Sequence, residues 1–188
     1  DPDVINKNGN ESWTGFSYRK MVSWNPYVAS PYGAAEDYPT IRYAEVLLMY
    51  AESKIELNQI DASVYEALDA IRTRAGMPTV DKAIYNNQSK MRELVRRERR
   101  VELALEGLRW FDICRWKIGE QVMPGQVYGA LLGTVDAETG ALNLTDERIK
   151  VEIRLFDPAK HYLWPIPQSV IDASVANGEP TMVQNPGY

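Results

Sequence analysis

Apolar residues recur at helical spacing through the first half of the chain. Ile41, Ala44, Leu48, Ala51 and Ile55 make one stripe, and Val64, Leu68, Ile71 and Ala75 make a second. Residues three and four positions apart share a helix face, so each stripe predicts an amphipathic helix with one buried side. Thr40, after Pro39, is placed to cap the first helix, and Asp61 to cap the second. Gly76 followed by Pro78 stops the second, because glycine accepts the left-handed turn that ends a helix and proline cannot continue it. Together they predict an αα-hairpin about the size of one tetratricopeptide unit, whose consensus residues it matches only loosely. Met91, Leu94, Val95, Val101, Ala104, Leu105 and Leu108 predict a third helix from about Ser89 to Glu106. Gly107 breaks it before a fourth, from Arg109 to about Ile118.

The flanks read differently. Phe16 to Val22 alternates between polar and apolar residues, the period of a strand with one buried face. Trp24 to Asp37 holds Pro26, Pro31 and Gly33 and reads as loop. Residues 119–150 are glycine-rich and mixed, a long loop. Two alternating runs around Asp157-Pro158-Ala159-Lys160 predict a β-hairpin over 152–163. Trp164-Pro165-Ile166-Pro167 must be extended, because residues before proline avoid the α region. A short helix over Gln168 to Ala173 and a turn-like end follow. The expected organisation is a strand-and-loop lead-in (1–38), a helical core (40–118), and a loop, hairpin and tail (119–188). The fold class is mainly α.

Composition narrows the function classes. A chain of 188 residues can bury a real core, and 45% hydrophobic with 25% charged residues is an ordinary soluble balance. A net charge of −5 argues against a nucleic-acid binder, whose footprint would be basic. The one cysteine, Cys114, excludes an internal disulfide and sits in an aromatic stretch as a buried, inert thiol. With one histidine, His161, neither a histidine metal site nor a serine–histidine triad is expected, and no cofactor is implied. No apolar run approaches the ~18 residues of a membrane span. The start at Asp1, with no signal peptide or lipid-attachment cysteine near it, reads as a cut point in a longer protein.

The chemistry to be explained is charge on an apolar stripe. Glu98 falls between Leu94 and Val101 on the inward face of the third helix, with Glu102 one turn on. An unpaired buried carboxylate is costly, so arginine must come to it. Arg42, Arg72, Arg109 and Arg115 are the candidates, since the guanidinium fork takes a carboxylate with two bonds. One reading makes Glu98, Glu102 and Asp112 the acid/base carboxylates of a glycoside hydrolase. The other makes them ion pairs locking the helices together. Between positions 92 and 117 there are eight lysines or arginines and five acids. Close arginines lower a carboxyl pKa, whereas a general acid needs it raised, so the structural reading is preferred. Glu93 and Arg97 at i,i+4 fit a solvated helix face rather than a nucleic-acid surface.

Several of these runs closely resemble the SusD/RagB family, nutrient-capturing surface lipoproteins of Bacteroidetes. The resemblance is carried by Arg42-Tyr43-Ala44-Glu45 with Leu47-Leu48, by Arg72 with Arg74-Ala75-Gly76, and by Glu98-Arg99-Arg100 with Glu102-Leu103-Ala104. It continues through Glu106-Gly107, Arg109-Trp110-Phe111-Asp112 and Arg115-Trp116 to Tyr162-Leu163-Trp164-Pro165-Ile166-Pro167 and Gln184-Asn185-Pro186-Gly187-Tyr188. It covers about residues 16 to 188 and is similar to the C-terminal part of the family's chain. It implies tetratricopeptide-like helical hairpins with long loops and a few short strands. It also implies a non-catalytic binder of glycans or other oligomeric nutrients, anchored at the outer-membrane surface by a lipid on an upstream cysteine. The implied partner is a SusC-like TonB-dependent transporter. Arg42, Glu45, Arg72, Glu98, Glu102, Arg109, Asp112 and Arg115 then form a fold-holding ion-pair network.

Sugar binding needs flat aromatic faces and planar polar groups. Trp24, Tyr27 and Tyr32, with Asn25 beside them, are the candidates in the loop before the first helix, with covering of the helix end as the alternative. Trp110, Phe111 and Trp116 are expected in the core, and Trp164 as a packing anchor for the tail. A protein-only helical scaffold is the competing function.

Overall fold

A computed structural model describes residues 12–21, 38–177 and 182–188. The chain divides into two compact units, residues 20–112 and residues 1–19 with 113–188. The mainly helical class is as expected: six helices and a two-stranded sheet among the described residues.

The unit spanning residues 20–112 is built on α1 (Tyr43–Glu56), α2 (Ala62–Arg74) and α3 (Gln88–Glu102), with α1 lying against both partners. Leu48, Ala51 and Ile55 of α1 meet Val64, Ala67, Leu68 and Ile71 of α2 and Met91, Leu94 and Val95 of α3. Val80 and Leu103 complete this core. The helix ends follow from local chemistry. Asp61 accepts from Ser63 N at 3.0 Å, and Asn87 from Lys90 N at 3.0 Å, each satisfying an orphan donor of a first turn. Gly76 sits at φ +73°, and Met77 N donates to Arg72 O (2.8 Å) while Gly76 N donates to Thr73 O (3.0 Å). That pattern is the glycine-dependent stop read from the sequence. Gln88 Nε2 donates to the carbonyls of Ile55 and Glu56 at 2.9 and 3.1 Å, so the start of α3 caps the end of α1.

Two helix limits differ from expectation. α1 starts at Tyr43 rather than beside Thr40, with Arg42 in extended backbone as its N-cap, and Ile41 is exposed. α3 ends at Glu102 rather than Glu106, leaving Val101 and Leu105 exposed. Leu105 and Gly107 both take positive φ in the linker that follows.

The division of units falls within α4 (Arg109–Trp116). Its expected aromatic core is only partial: Phe111 is exposed, Trp110 and Trp116 are half-buried, and Asp112 and Ile113 are the buried residues. The second unit continues through α5 (Gly119–Val122), β1 (Gly125–Val135), β2 (Leu142–Arg154) and α6 (Gln168–Ala176). Residues 119–150 are thus no loop. They hold most of an antiparallel hairpin, paired from Gly125↔Arg154 to Val135↔Leu142 with register shifts between. Its turn is organised by Asp136, whose Oδ1 accepts from Glu138 N (3.0 Å) and Thr139 N (2.7 Å), with Gly140 at φ +70°. The hairpin expected over 152–163 does not form. Residues 152–154 finish β2, and Asp157–Lys160 make a turn in which His161 Nδ1 accepts from Asp157 N (2.9 Å).

The strand expected from Phe16 is also absent. Residues 16–19 are exposed and belong to no strand, and Val22 lies outside the described residues. The contact instead falls earlier, where Ala130 N donates to Thr14 O at 2.8 Å and Gly129 lies so close that a side chain there would strike Thr14. Phe156 likewise occupies the space a side chain at Gly119 would need, while Tyr162 Oη accepts from Gly119 N (2.7 Å) and bonds Glu120.

Candidate functional site

The carboxylates on and after α3 are met by basic side chains from several directions, all within residues 20–112. Arg42, the N-cap residue of α1 whose side chain makes no capping bond, donates Nη1 to Glu102 Oε1 at 2.5 Å. Its Nε and Nη2 donate to the two oxygens of Glu106, each at 2.7 Å, and Nη2 also reaches the main-chain oxygen of Glu102 at 2.6 Å. Lys20 Nζ donates to the main-chain oxygens of Glu102 and Ala104, both at 2.8 Å, and to the Glu106 carboxylate. Two cations therefore close the C-terminal end of α3, where unpaired carbonyls and the helix dipole favour positive charge. That explains why the helix stops at Glu102. Arg74 Nη2 sits 2.7 Å from both oxygens of Glu102. Arg72 donates Nη1 to Glu98 Oε1 at 2.5 Å and Nε to Pro78 O at 2.8 Å, tying α2 and the loop after it to α3.

The deepest pair is one the sequence reading left out. Arg99 is 4% exposed, and its Nε and Nη2 donate to Asp112 Oδ2 and Oδ1, each at 3.1 Å. Its Nε also lies 3.6 Å from Glu52 Oε2, and Glu52 and Asp112 are both buried. The signal was available: Met91, Val95 and Arg99 fall at i, i+4 and i+8, the same inward line that exposes the arginine to the core. The reading followed the neighbouring line through Leu94 to Glu98, which is half-buried.

The other expected members are placed variously. Glu45 makes no ion pair among the described residues. Arg109 makes no salt bridge there either; burial pushes its guanidinium below the usual range, as does the nearby charge of Arg100, against the opposing pull of Asp112. The Arg115 guanidinium lies 4.6 Å from the centre of the Trp116 ring. Glu93 pairs with Lys90 at 3.2 Å, while Arg97 reaches Tyr85 Oη at 3.0 Å. Trp24, Asn25, Tyr27 and Tyr32 lie outside the described residues.

Burial pushes the Glu106 carboxyl up, but the bonds from Arg42 and Lys20 outweigh it and hold it below the ordinary value of 4.5. The bonds to Glu106, opposed by burial and aided by those to Glu102, hold Arg42 above its own ordinary value. Cys114 is half-buried, and burial pushes its thiol up, away from the reactive thiolate. No cluster of histidine, cysteine and acid side chains able to hold a metal ion occurs among the described residues. A cleft of about 250 Å³ runs beside the network between α1 and α2, floored by Ala44, Leu47, Ala70 and Ile71 and bordered by Arg42, Tyr43 and Arg74. Both bordering arginines are already bound to Glu102. Such a network joins helices and fixes their register.

The model of the SusD family matches residues 1–188. The chain belongs to the SusD family. Among curated relatives, it is 36% identical over 97 residues to SusD-like protein P2 of Formosa agariphila, a stretch that is 47% of this chain and 19% of that protein. It is 33% identical over 88 residues to SusD-like protein P38 of the same organism, 44% of this chain and 17% of that protein. A SusD homologue from Bacteroides thetaiotaomicron, solved by crystallography, superposes with a TM-score of 0.57 at 31% identity, over 79% of this chain and 26% of its own. This SusD-family chain thus matches less than a third of the length of each of these relatives.

Proposed function

We propose that this chain is part of a surface protein that captures glycans without altering them and passes them to a SusC-like TonB-dependent transporter. The observation that carries the reading is the match of the SusD family over all 188 residues. The charges support it. Glu98, Glu102 and Asp112, the carboxylates a glycosidase would use, are each bound by arginine at 3.1 Å or less, which commits them to joining the helices. Attachment to the outer membrane is proposed to come from a lipid upstream of Asp1. Among the described residues, no helix is long and apolar enough to cross a membrane.

The test is titration of the full-length gene product against an array of oligosaccharides four to eight units long. The reading expects saturable binding, with the bound sugar recovered intact. A protein-only scaffold is favoured by one observation, the run of exposed Tyr43, Val46 and Tyr50 along α1. It would be preferred if no sugar on the array bound while the transporter still co-purified.

A further inference from the structure

The β1–β2 hairpin meets the chain that leads into its unit at one tightly fitted point. Residues 131–148 are all exposed, while Val127, Ala130, Ile149 and Val151 are half-buried at its base. Gly129 is the single buried residue of either strand. It lies at an irregularity in the ladder. Tyr128 faces Lys150 and Leu131 faces Arg148, so Gly129 and Ala130 together oppose Ile149 alone. Such a bulge leaves one residue out of the pairing and bends its strand. The Ala130 N–H donates outside the ladder, to Thr14 O at 2.8 Å.

Gly129 takes no positive φ, so its want of a side chain serves space rather than backbone conformation. A Cβ there would strike the Thr14 carbonyl and Cα, main-chain atoms that no change of rotamer can move aside. Thr14 is in turn presented by a turn that braces itself. Gly15 N donates to Ser12 O at 3.1 Å, with Gly15 at φ +72°. The Ser12 and Thr14 hydroxyls bond each other at 2.9 Å, and Phe16 N donates to Thr14 Oγ1 at 3.2 Å. A self-braced turn therefore enters a notch that glycine leaves open, at the place where the hairpin passes from half-buried base to exposed end.

We propose that Ser12–Gly15 is a strap that locks a hinge in the hairpin, the bulge at Gly129–Ala130 being the hinge and residues 131–148 the arm it steadies. A two-stranded hairpin alone is marginally stable in water, and this ladder is interrupted again between Leu131 and Gly133. The seated strap adds a main-chain bond and covers Gly129 where the pairing is weakest. Withdrawing it leaves the arm to open locally while the helices stay folded. Because the strap belongs to the lead-in, a displacement there is passed to an arm more than a hundred residues further along the chain. The device needs no ligand, and it stands or falls apart from glycan capture.

Hydrogen exchange of the full-length protein, read by mass spectrometry of its peptides, tests this with Gly129→Val at the notch and Gly15→Val at the strap. Valine at Gly129 meets the Thr14 main chain, and valine at Gly15 strains the turn at its positive φ. Each is expected to speed exchange in peptides from Gly125–Val135 and Leu142–Arg154 by about tenfold or more, with peptides from α1, α2 and α3 unchanged. Unchanged hairpin exchange in both variants overturns the strap. Faster exchange in only one of two folded variants overturns it as well, because notch and turn would then act separately. If Gly129→Val also loosens the three helices it reports misfolding, and Gly15→Val decides: faster hairpin exchange over intact helices supports the strap, and wild-type exchange removes it.

Discussion

From Leu48 to Leu103, the large apolar side chains on the inward helix lines are almost wholly removed from water. Along Gly125–Arg154 their counterparts stand in it: Val135, Leu142, Leu144 and Ile153 are all more than half exposed. The charges divide the same way. The helical unit encloses Arg99 with Asp112 and half-encloses Arg72 with Glu98, whereas Arg154 and Glu152 in the hairpin pair at the surface. Identical residue types therefore carry different energetic weight in the two regions. A buried arginine bond cannot be broken without stranding a charge, while a solvated one exchanges readily for water.

The largest test of this difference is Arg99→Met in the full chain. Removing the guanidinium leaves Asp112 and Glu52 buried without it, and a loss of about 3–5 kcal/mol in unfolding free energy is expected by denaturant titration. A loss under about 1 kcal/mol would put the pair on a par with the surface ones. Glu98→Gln comes next. Its pair with Arg72 is half-buried, so about 1.5–3 kcal/mol is expected by the same measurement, the range for a bond to a charged group.

The pH dependence sharpens the contrast. Glu106 is held below its ordinary value in the folded chain, so its contribution is present above the unfolded value near 4.5 and disappears as pH falls through the folded value. Thermal scans should show a midpoint that is level near neutrality and declines below about pH 4.5, and Glu106→Gln should make that decline shallower. An unchanged slope in the variant would mean that Arg42 and Lys20 do not stabilise the anion. The smallest effect is expected in the hairpin, where Ile153→Ser, at an exposed position, should change unfolding free energy by no more than about 0.5 kcal/mol. A larger loss would show that the hairpin is covered in solution.

What could be read from sequence follows the same boundary. α2 was legible from Asp61 to Gly76 because cap, stripe and stop are local signals that agree. The hairpin was not, since most of its side chains stand exposed and alternation then has little core to report. The end of α3 was misjudged because Lys20, far away in sequence, takes its last carbonyls. Arg42, Arg72, Glu98 and Glu102 were singled out as charges on an apolar stripe. Arg99 is not among the expected members, although it lies on the inward line of Met91 and Val95. Trp164 is expected as a packing anchor on residue type alone, but its side chain is 70% exposed and only its main chain is held, by Asn185 Nδ2 donating to Trp164 O at 2.6 Å.

On the proposed function, these arginine-bound carboxylates hold part of a protein that captures sugar and does not cut it. Mass spectrometry of an oligosaccharide recovered from its complex with the full-length protein tests this most directly. The account predicts that the sugar returns at its original length after prolonged incubation. Shortened products that vanish in Glu98→Gln would contradict it and restore the glycoside hydrolase reading.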